Sequence, residues 1–144
     1  MEKITCKNFI GKWSIIRRIT DYQFNQERIF LGEAEICRED QRFVYRERGN
    51  LKLDNNKSIF ATQSYIWIPK SSAVFKILFK DGRYFHTLNL RKASDKSQYA
   101  TEHLCKSDLY QVQYDFAQFP DWRSNWRVTG PKKNYQINSF FQQI

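Results

Sequence analysis

Apolar and polar residues alternate through nearly the whole chain, and this pattern constrains the fold more than any other feature. Stretches rich in β-branched and aromatic residues are separated by short polar turns such as REDQ, DNNKS and KDGR. A period of two is typical of strands, and no stretch of twelve or more residues keeps a helical period. The strand-like stretches are WSIIRRIT, IFLGEAEI, RFVYRERG, SIFATQSYIWI, AVFKILF, RYFHTLNL, YATEHLC, LYQVQYDF, WRVTG and NYQINSFF. We predict an all-β fold, an antiparallel up-and-down β-barrel of about eight to ten strands, because barrel closure removes exposed edges.

The length of the chain favours one domain over residues 1–144, because 144 residues enclose a real core and no linker-like stretch divides them. No apolar run approaches the ~18 residues of a membrane span. The start, MEKITCKNFIGKW, lacks the apolar segment of a secretory signal. Cys6, Cys37 and Cys105 are widely spaced and form no CxxC pair. These features favour a reducing, cytoplasmic location without a disulfide framework.

The formal net charge of +9 raises the question of a nucleic-acid partner. The lysines and arginines are scattered, and no basic tail is present. Single-strand binders need exposed aromatic rings among basic residues, whereas most aromatic residues here alternate toward the interior. We therefore expect a solvated basic surface and no nucleic-acid partner.

Turn lengths set the register of neighbouring strands, so the strands can be laid side by side. The Asp-Gly turn of FKDGRYFHTLNL pairs Ile77 with His86, and the next turn puts His103 beside His86. The same exercise predicts one inward row of Arg17, Gly32, Glu47, Tyr65, Ile77, His86, His103 and Val112. The flanking rows include Tyr45, Trp67, Phe75 and Tyr114 on one side and Phe30, Gly49, Phe79, Tyr84, Cys105 and Tyr110 on the other. Strand stagger shears such rows, so adjacency is better determined than level.

Charged and titratable side chains in the central row are the first candidates for a site. Arg17 is expected to reach Glu47 across the bare Gly32, because an unpaired charge inside is costly. The pair fits either a structural ion pair or a ligand-binding group. The two histidines fit either satisfied interior imidazoles or a ligand site. His86, His103 and Cys105 could offer a metal two nitrogens and a sulfur, but no fourth ligand is evident, and we predict neither metal nor cofactor.

Tyrosines crowd the predicted interior, and each buried hydroxyl needs a partner. Together with the small residues Gly32, Ala34 and Gly49, they suit a cavity that holds a ligand. The predicted function is binding of a small, polar-headed or aromatic ligand inside the barrel. The alternative is a cofactor-independent isomerase, cyclase or decarboxylase that uses the same interior residues. The candidate ligand-binding residues are Arg17, Glu47, Tyr65, Trp67, His86, His103, Cys105, Tyr110 and Tyr114, and none is assigned a catalytic role.

Several motifs resemble a known group of proteins. Gly11 and Trp13 in FIGKW resemble the GxW opening of calycins, the superfamily of lipocalins and fatty-acid-binding barrels. More specifically, the chain resembles an uncharacterised calycin-like domain family of unknown function. The matching motifs are GxW, DGRxFHxL (Asp81 to Leu88), HxCxxDxY (His103 to Tyr110) and WxVxGPxKxY (Trp126 to Tyr135). Gln63 departs from the family, which usually has Arg there. The resemblance implies a barrel and a set of residues, but no activity.

Overall fold

The predicted strands form one antiparallel sheet of ten strands in the residues that the structure describes. A computed structural model describes the backbone of residues 3–93, 100–105 and 108–144 and the side chains of 3–92 and 108–144. The strands are β1 (Gly11–Asp21), β2 (Gln26–Glu39), β3 (Arg42–Lys52), β4 (Ser58–Ser71), β5 (Val74–Phe79), β6 (Tyr84–Asn89), β7 (Ala100–Cys105), β8 (Asp108–Asp115), β9 (Trp122–Thr129) and β10 (Asn134–Gln143). A 3₁₀ turn (Cys6–Phe9) precedes β1, and a helix α1 (Leu90–Ala93) follows β6. Within these described ranges, no helix is long and apolar enough to cross a membrane.

The order of the strands confirms the predicted up-and-down barrel. It runs β6-β5-β4-β3-β2-β1-β10-β9-β8-β7, so strands that follow one another in the chain are neighbours except at one point. The first and last strands, β1 and β10, pair with each other in the middle of the sheet. β6 and β7 stand at its two ends, and part of the segment that joins them, 94–99, lies outside the described residues.

The predicted inward face is the face that forms the core. Along β1, Trp13 and Ile15 are buried, whereas Lys12 and Ile16 are exposed. The same alternation buries side chains that face one another across the interior. The buried core includes Phe30, Ala34, Tyr45, Trp67, Phe75, Ile77, Leu88, Val112, Tyr114, Trp122 and Phe141. Alternation therefore determined the two faces of the sheet correctly.

The predicted register is wrong by two residues at several strand pairs. Glu47 lies opposite Gln63 rather than Tyr65, and Arg17 lies opposite Phe30 rather than Gly32. Between β2 and β3 the cause is visible: the turn is centred one residue later than predicted, with Asp40 in the left-handed region at φ 58°. Moving a turn by one residue shifts every pair by two. Because the side-chain period is also two, each residue keeps its face and changes only its level.

The hairpin of β5 and β6 contains a bulge that the sequence did not predict. Ile77 lies opposite His86 as predicted, but the next pair is Leu78 with Tyr84, so Phe85 is the extra residue. A bulge lets two consecutive side chains face the same way. Phe85 and His86 are both inside, with 6% and 2% exposure, while Tyr84 is 46% exposed. The predicted inward orientation of Tyr84 is therefore wrong.

An aromatic cluster around Phe9 closes one end of the barrel. The ring of Phe9 is fully buried, and six aromatic rings surround it at centroid distances of 5.2 to 6.4 Å, those of Trp13, Trp67, Phe75, Phe116, Phe119 and Trp122. The indole Nε1 of Trp13 donates a hydrogen bond to the carbonyl of Phe9 at 2.9 Å, which fixes the 3₁₀ turn beneath the sheet. The open space of the interior therefore lies toward the opposite end.

Candidate ligand-binding cavity

A cavity of about 420 Å³ occupies the barrel interior beyond the aromatic cluster. Seven of the predicted site residues line it: Arg17, Glu47, Tyr65, Trp67, His86, Tyr110 and Tyr114. The side chains of the other two, His103 and Cys105, lie outside the described part of the chain. Their backbones are described, and His103 lies opposite Tyr110 and Cys105 opposite Asp108, two residues from the predicted register. The structure thus brings most of the predicted residues to one cavity, and their role in binding stays a prediction.

Arg17 and Glu47 form a bidentate ion pair in the cavity wall. Nη1 and Nη2 of Arg17 donate to the two carboxylate oxygens of Glu47 at 2.6 and 2.9 Å. Nε of Arg17 donates to the hydroxyl of Ser139 at 2.7 Å, and the hydroxyl of Tyr45 donates to Oε1 of Glu47 at 2.5 Å. The side chains are 18% and 6% exposed. Each charge is therefore met by its opposite and by a hydroxyl, as a partly buried pair requires.

Two glycines make room for an aromatic ring that packs against Arg17 of this pair. Gly32 lies opposite Gly49, and the ring of Phe30 folds over both of them. A Cβ on Gly32 would lie 2.3 Å from the carbonyl oxygen of Arg48 and 2.8 Å from the Phe30 ring. The guanidinium of Arg17 stacks on that ring at 5.1 Å. The predicted contact of Arg17 with Glu47 is confirmed. The space over Gly32 is not bare as predicted, because the ring of Phe30 fills it.

The electrostatics of the wall favour neutral tyrosines beside a charged pair. Burial acts to lower the pKa of Arg17, but hydrogen bonds and the charge of Glu47 outweigh it, so the net shift is upward. Burial, reinforced by the negative charge of Glu47, raises the pKa of Tyr65 to about 12. The same two causes raise the pKa of Tyr45 well above its ordinary value. At neutral pH Arg17 is therefore charged, and both phenols keep their protons.

His86 meets a tyrosine across the interior. Its Nε2 shares a hydrogen bond with the hydroxyl of Tyr114 on β8 at 2.8 Å, and the two rings are nearly parallel. Both residues are buried, with 2% and 5% exposure. The predicted neighbour, His103, is not tested because its side chain is not described. The observed partner of His86 is Tyr114, which the sequence predicts in the row next to that of His86.

Stacked aromatic rings form another wall of the cavity. Phe85 lies between Phe79 and Trp126, with centroids 4.4 and 4.9 Å away and interplanar angles of 21° and 12°. Tyr65 lies nearly parallel to Phe85 at 5.8 Å, and Tyr45 stacks on Trp67 at 5.4 Å and 3°. Parallel rings of this kind present flat apolar faces to anything between them.

Sequence reasoning missed the lining residues of β9 and β10. Ser124, Trp126 and Ser139 line the cavity, and Trp122 lies at its floor against Phe141, with ring centroids 3.8 Å apart. The signal was present, since alternation in WRSNWRVT places Trp122, Ser124, Trp126 and Val128 on one face. The irregular stretch before β9 prevented their register from being set.

Two other features could in principle carry chemistry, a metal site and a groove outside the cavity. Among the described side chains, no group of three His, Cys, Asp or Glu residues is close enough to hold a metal ion, and the His103 and Cys105 set falls outside them. A groove of about 580 Å³ is lined by residues of β1, β2 and β8–β10, and Arg123 stacks on Phe140 there at 4.2 Å. It shares Tyr114, Ser124 and Ser139 with the interior cavity but lacks the ion pair of Arg17 and Glu47, so the interior cavity is the stronger candidate.

The antiparallel barrel of the described residues, with its interior cavity, has a calycin-like fold. Within that class, the chain belongs to a family of unknown function (DUF6314), whose model matches residues 9–143. Nothing among curated proteins matches it.

Solved structures share its fold. The S-type phycobiliprotein lyase CPES from Guillardia theta superposes with a TM-score of 0.53 at 11% identity, over 96% of this chain and 88% of that one. Rv2717c from M. tuberculosis gives 0.51 at 8% identity, over 95% and 93%. At these identities the likeness shows the fold alone.

Proposed function

We propose that the barrel binds a small organic ligand in its interior cavity. The observation that carries the proposal is the composition of the cavity wall, in which stacked aromatic rings stand beside buried polar groups. A volume of about 420 Å³ is in the range of small-molecule sites. The proposal takes residues 1–144 as one domain and the nine predicted residues, His103 and Cys105 included, as the ligand-binding set.

The polar groups of the wall favour a ligand with at least one hydrogen-bonding atom. The indole Nε1 of Trp122 is buried and makes no hydrogen bond within the described structure. The hydroxyls of Tyr65, Tyr110 and Tyr135 also belong to residues that line the cavity. A ligand oxygen or nitrogen reaching one of these groups would fix its orientation, while the rings supply most of the contact area.

Arg17 has a second role in this proposal besides the charged donor to the ligand that the sequence suggested. Its three nitrogens each donate one hydrogen bond to Glu47 or Ser139, which uses three of the five N–H groups of the guanidinium. Arg17 and Glu47 therefore act as a paired, electrically balanced part of the wall, and the ligand meets them as a polar surface.

The solved neighbour from Guillardia theta is named as a phycobiliprotein lyase. That name shows that this barrel architecture serves a protein with a defined biochemical activity. At 11% identity the likeness supports the shared barrel fold.

The experiment is native mass spectrometry of gently purified protein, followed by identification of any bound small molecule. Ser124→Leu places an apolar side chain in the cavity and should reduce the bound fraction. Ser64→Leu makes the same change on β4, outside the lining residues, and should leave it unchanged. Equal occupancy in the two variants would contradict an interior site.

An enzyme is the second candidate, and the hydrogen bond of His86 with Tyr114 favours it. A buried imidazole and phenol in contact can exchange a proton with a substrate, as isomerisation, cyclisation or decarboxylation requires. The bound molecule should then be chemically converted during incubation. His86→Gln and Tyr114→Phe should abolish conversion while retaining binding, whereas unchanged conversion in both would exclude this pair.

The state of the cysteines supports a proposed cytoplasmic location. Cys6 and Cys37 are free thiols, and burial raises the pKa of Cys6 to about 11, so it remains protonated at neutral pH. Unreactive thiols suit the reducing cytoplasm. We propose a cytoplasmic protein whose partner is a small molecule rather than a nucleic acid.

A further inference from the structure

The stack of Phe79, Phe85 and Trp126 has the geometry of a filled slot. Phe79 comes from β5 and Trp126 from β9, strands far apart in the sheet, and the ring of Phe85 bridges them. The rings of Phe79 and Trp126 therefore each lie about one stacking distance from the ring of Phe85, which separates them. A flat aromatic molecule in the place of that ring would contact both faces at stacking distance.

The backbone around Phe85 is the part of this wall that can yield. Phe85 is the extra residue of the bulge between β5 and β6, where the regular ladder is interrupted. β6 also stands at an end of the described sheet. Phe79 and Trp126, by contrast, lie on β5 and β9, each of which has a strand paired on both sides. In the described sheet, a shift of the backbone at Phe85 therefore disturbs one paired strand, whereas a shift at Phe79 or Trp126 disturbs two.

The charges of the cavity select against an ionised ligand. Arg17 and Glu47 balance each other's charge, and three of the five N–H groups of Arg17 and both carboxylate oxygens of Glu47 are engaged with one another, with Ser139 and with Tyr45. A charged ligand would lose its hydration without gaining an opposite charge from either of them. A neutral molecule avoids that cost.

We propose that the ligand is a flat, uncharged aromatic molecule that intercalates between Phe79 and Trp126, in the position that the ring of Phe85 occupies in this structure. This inference rests on the proposed function and specifies its ligand class. Phe85 competes with the ligand for the slot, so its removal should strengthen binding.

The experiment measures binding of three matched probes by isothermal titration calorimetry. 2-Acetonaphthone is flat and neutral, 2-naphthoate is flat and anionic, and 1-acetyladamantane is neutral and globular. In Phe85→Ala, affinity for 2-acetonaphthone should rise about tenfold, because the competing ring is gone. Affinity for the other two probes should rise much less. Trp126→Leu removes one face of the slot and should weaken 2-acetonaphthone binding about tenfold.

Controls separate this inference from the broader proposal. Tyr84→Ala removes the adjacent exposed ring and should leave all three affinities unchanged. If Phe85→Ala does not fold, Phe85→Leu keeps an apolar side chain without a ring and should show the same selective gain. If Phe85→Ala raises affinity for the globular or anionic probe as much as for 2-acetonaphthone, or raises none of them, the flat neutral ligand is overturned. In that case, probe binding by the wild-type protein would still support the cavity as a binding site. Absence of binding in every protein, with no co-purifying molecule, would overturn both.

Discussion

Arg17 and Glu47 lie on strands that do not pair with each other, and they meet over the strand between them. β1 and β3 flank β2, and the guanidinium of Arg17 lies over the ring of Phe30 on β2, which in turn covers Gly32. The nearest β2 partners of Arg17 and Glu47 are Phe30 and Ala34, so the contact runs diagonally across the sheet. The ion pair thus ties β1 to β3, and the hydrogen bond of Arg17 with Ser139 ties β1 to β10 at the same point of the cavity wall.

Removing one charge of this pair should destabilise the fold. Glu47→Gln leaves the guanidinium of Arg17 without its opposite charge, which typically costs about 3–5 kcal/mol. We expect the lower end, because Arg17 is 18% exposed. Urea unfolding followed by tryptophan fluorescence measures the change. The double variant Arg17→Met with Glu47→Leu should recover much of the loss, and an unchanged unfolding midpoint in Glu47→Gln would contradict the pair's burial.

Gly32→Ala tests the close approach over which the pair forms. The added Cβ would meet the carbonyl oxygen of Arg48 at 2.3 Å, and this backbone atom cannot turn away. We expect a loss of about 1–3 kcal/mol in the free energy of unfolding, as for overpacked sites. Thr62→Ala, an exposed change on β4, should stay within about 0.5 kcal/mol. Equal stability of the two variants would show that β2 and β3 are farther apart.

Buried tyrosines should make the protein sensitive to alkaline pH. The pKa of Tyr65 is about 12 in the folded protein and about 10 when unfolded. Between these values the unfolded state releases a proton that the folded state retains, so the free energy of unfolding should fall as pH rises from 10 to 12. Tyr65→Phe should flatten that fall, which urea unfolding at several pH values measures. Parallel curves for the two proteins would place Tyr65 in solvent.

The basic surface should bind nucleic acid only through phosphate contacts. Arg46 and Arg48 point outward, and binding that depends on such groups falls steeply with salt. Affinity for arbitrary DNA or RNA should vanish by ~0.2 M salt in a filter-binding titration. Binding that is selective for sequence, survives that salt and is lost on replacing Arg46, Arg48 and Lys76 but not Arg17 would move the function to the outside of the barrel.

The inward face could be predicted from the sequence because alternation fixes it without knowledge of register. Tyr45 and Trp67 are buried as expected even though their partners across the strands differ by two residues. The level of each residue along the barrel could not be predicted. A turn displaced by one residue changes which residues lie opposite each other on neighbouring strands but leaves each residue on the same face of the sheet. The contact of Arg17 with Glu47 survives this error because a long side chain and strand stagger tolerate a diagonal approach.

Two parts of the site were beyond the reach of such reasoning. The bulge that turns Phe85 inward lies within the triplet Tyr84-Phe85-His86. Either Tyr84 or Phe85 suits the core, so the sequence does not show which of them faces inward. The hydrogen bond of His86 with Tyr114 crosses the interior between strands that are not neighbours, and no turn length specifies it. Contacts across a barrel depend on its curvature, which the alternation does not encode.

The pairing of β1 with β10 has a consequence for how the molecule acquires its structure. Trp13 lies opposite Gln143, so the middle of the sheet is made from segments far apart in the chain. During synthesis, β1 emerges early and must wait for β10, and until then one of its edges can pair with another chain. Folding that depends on such distant contacts is slow. A chain truncated before Asn134 should therefore hold an unfinished sheet in which β1 lacks its partner on one edge.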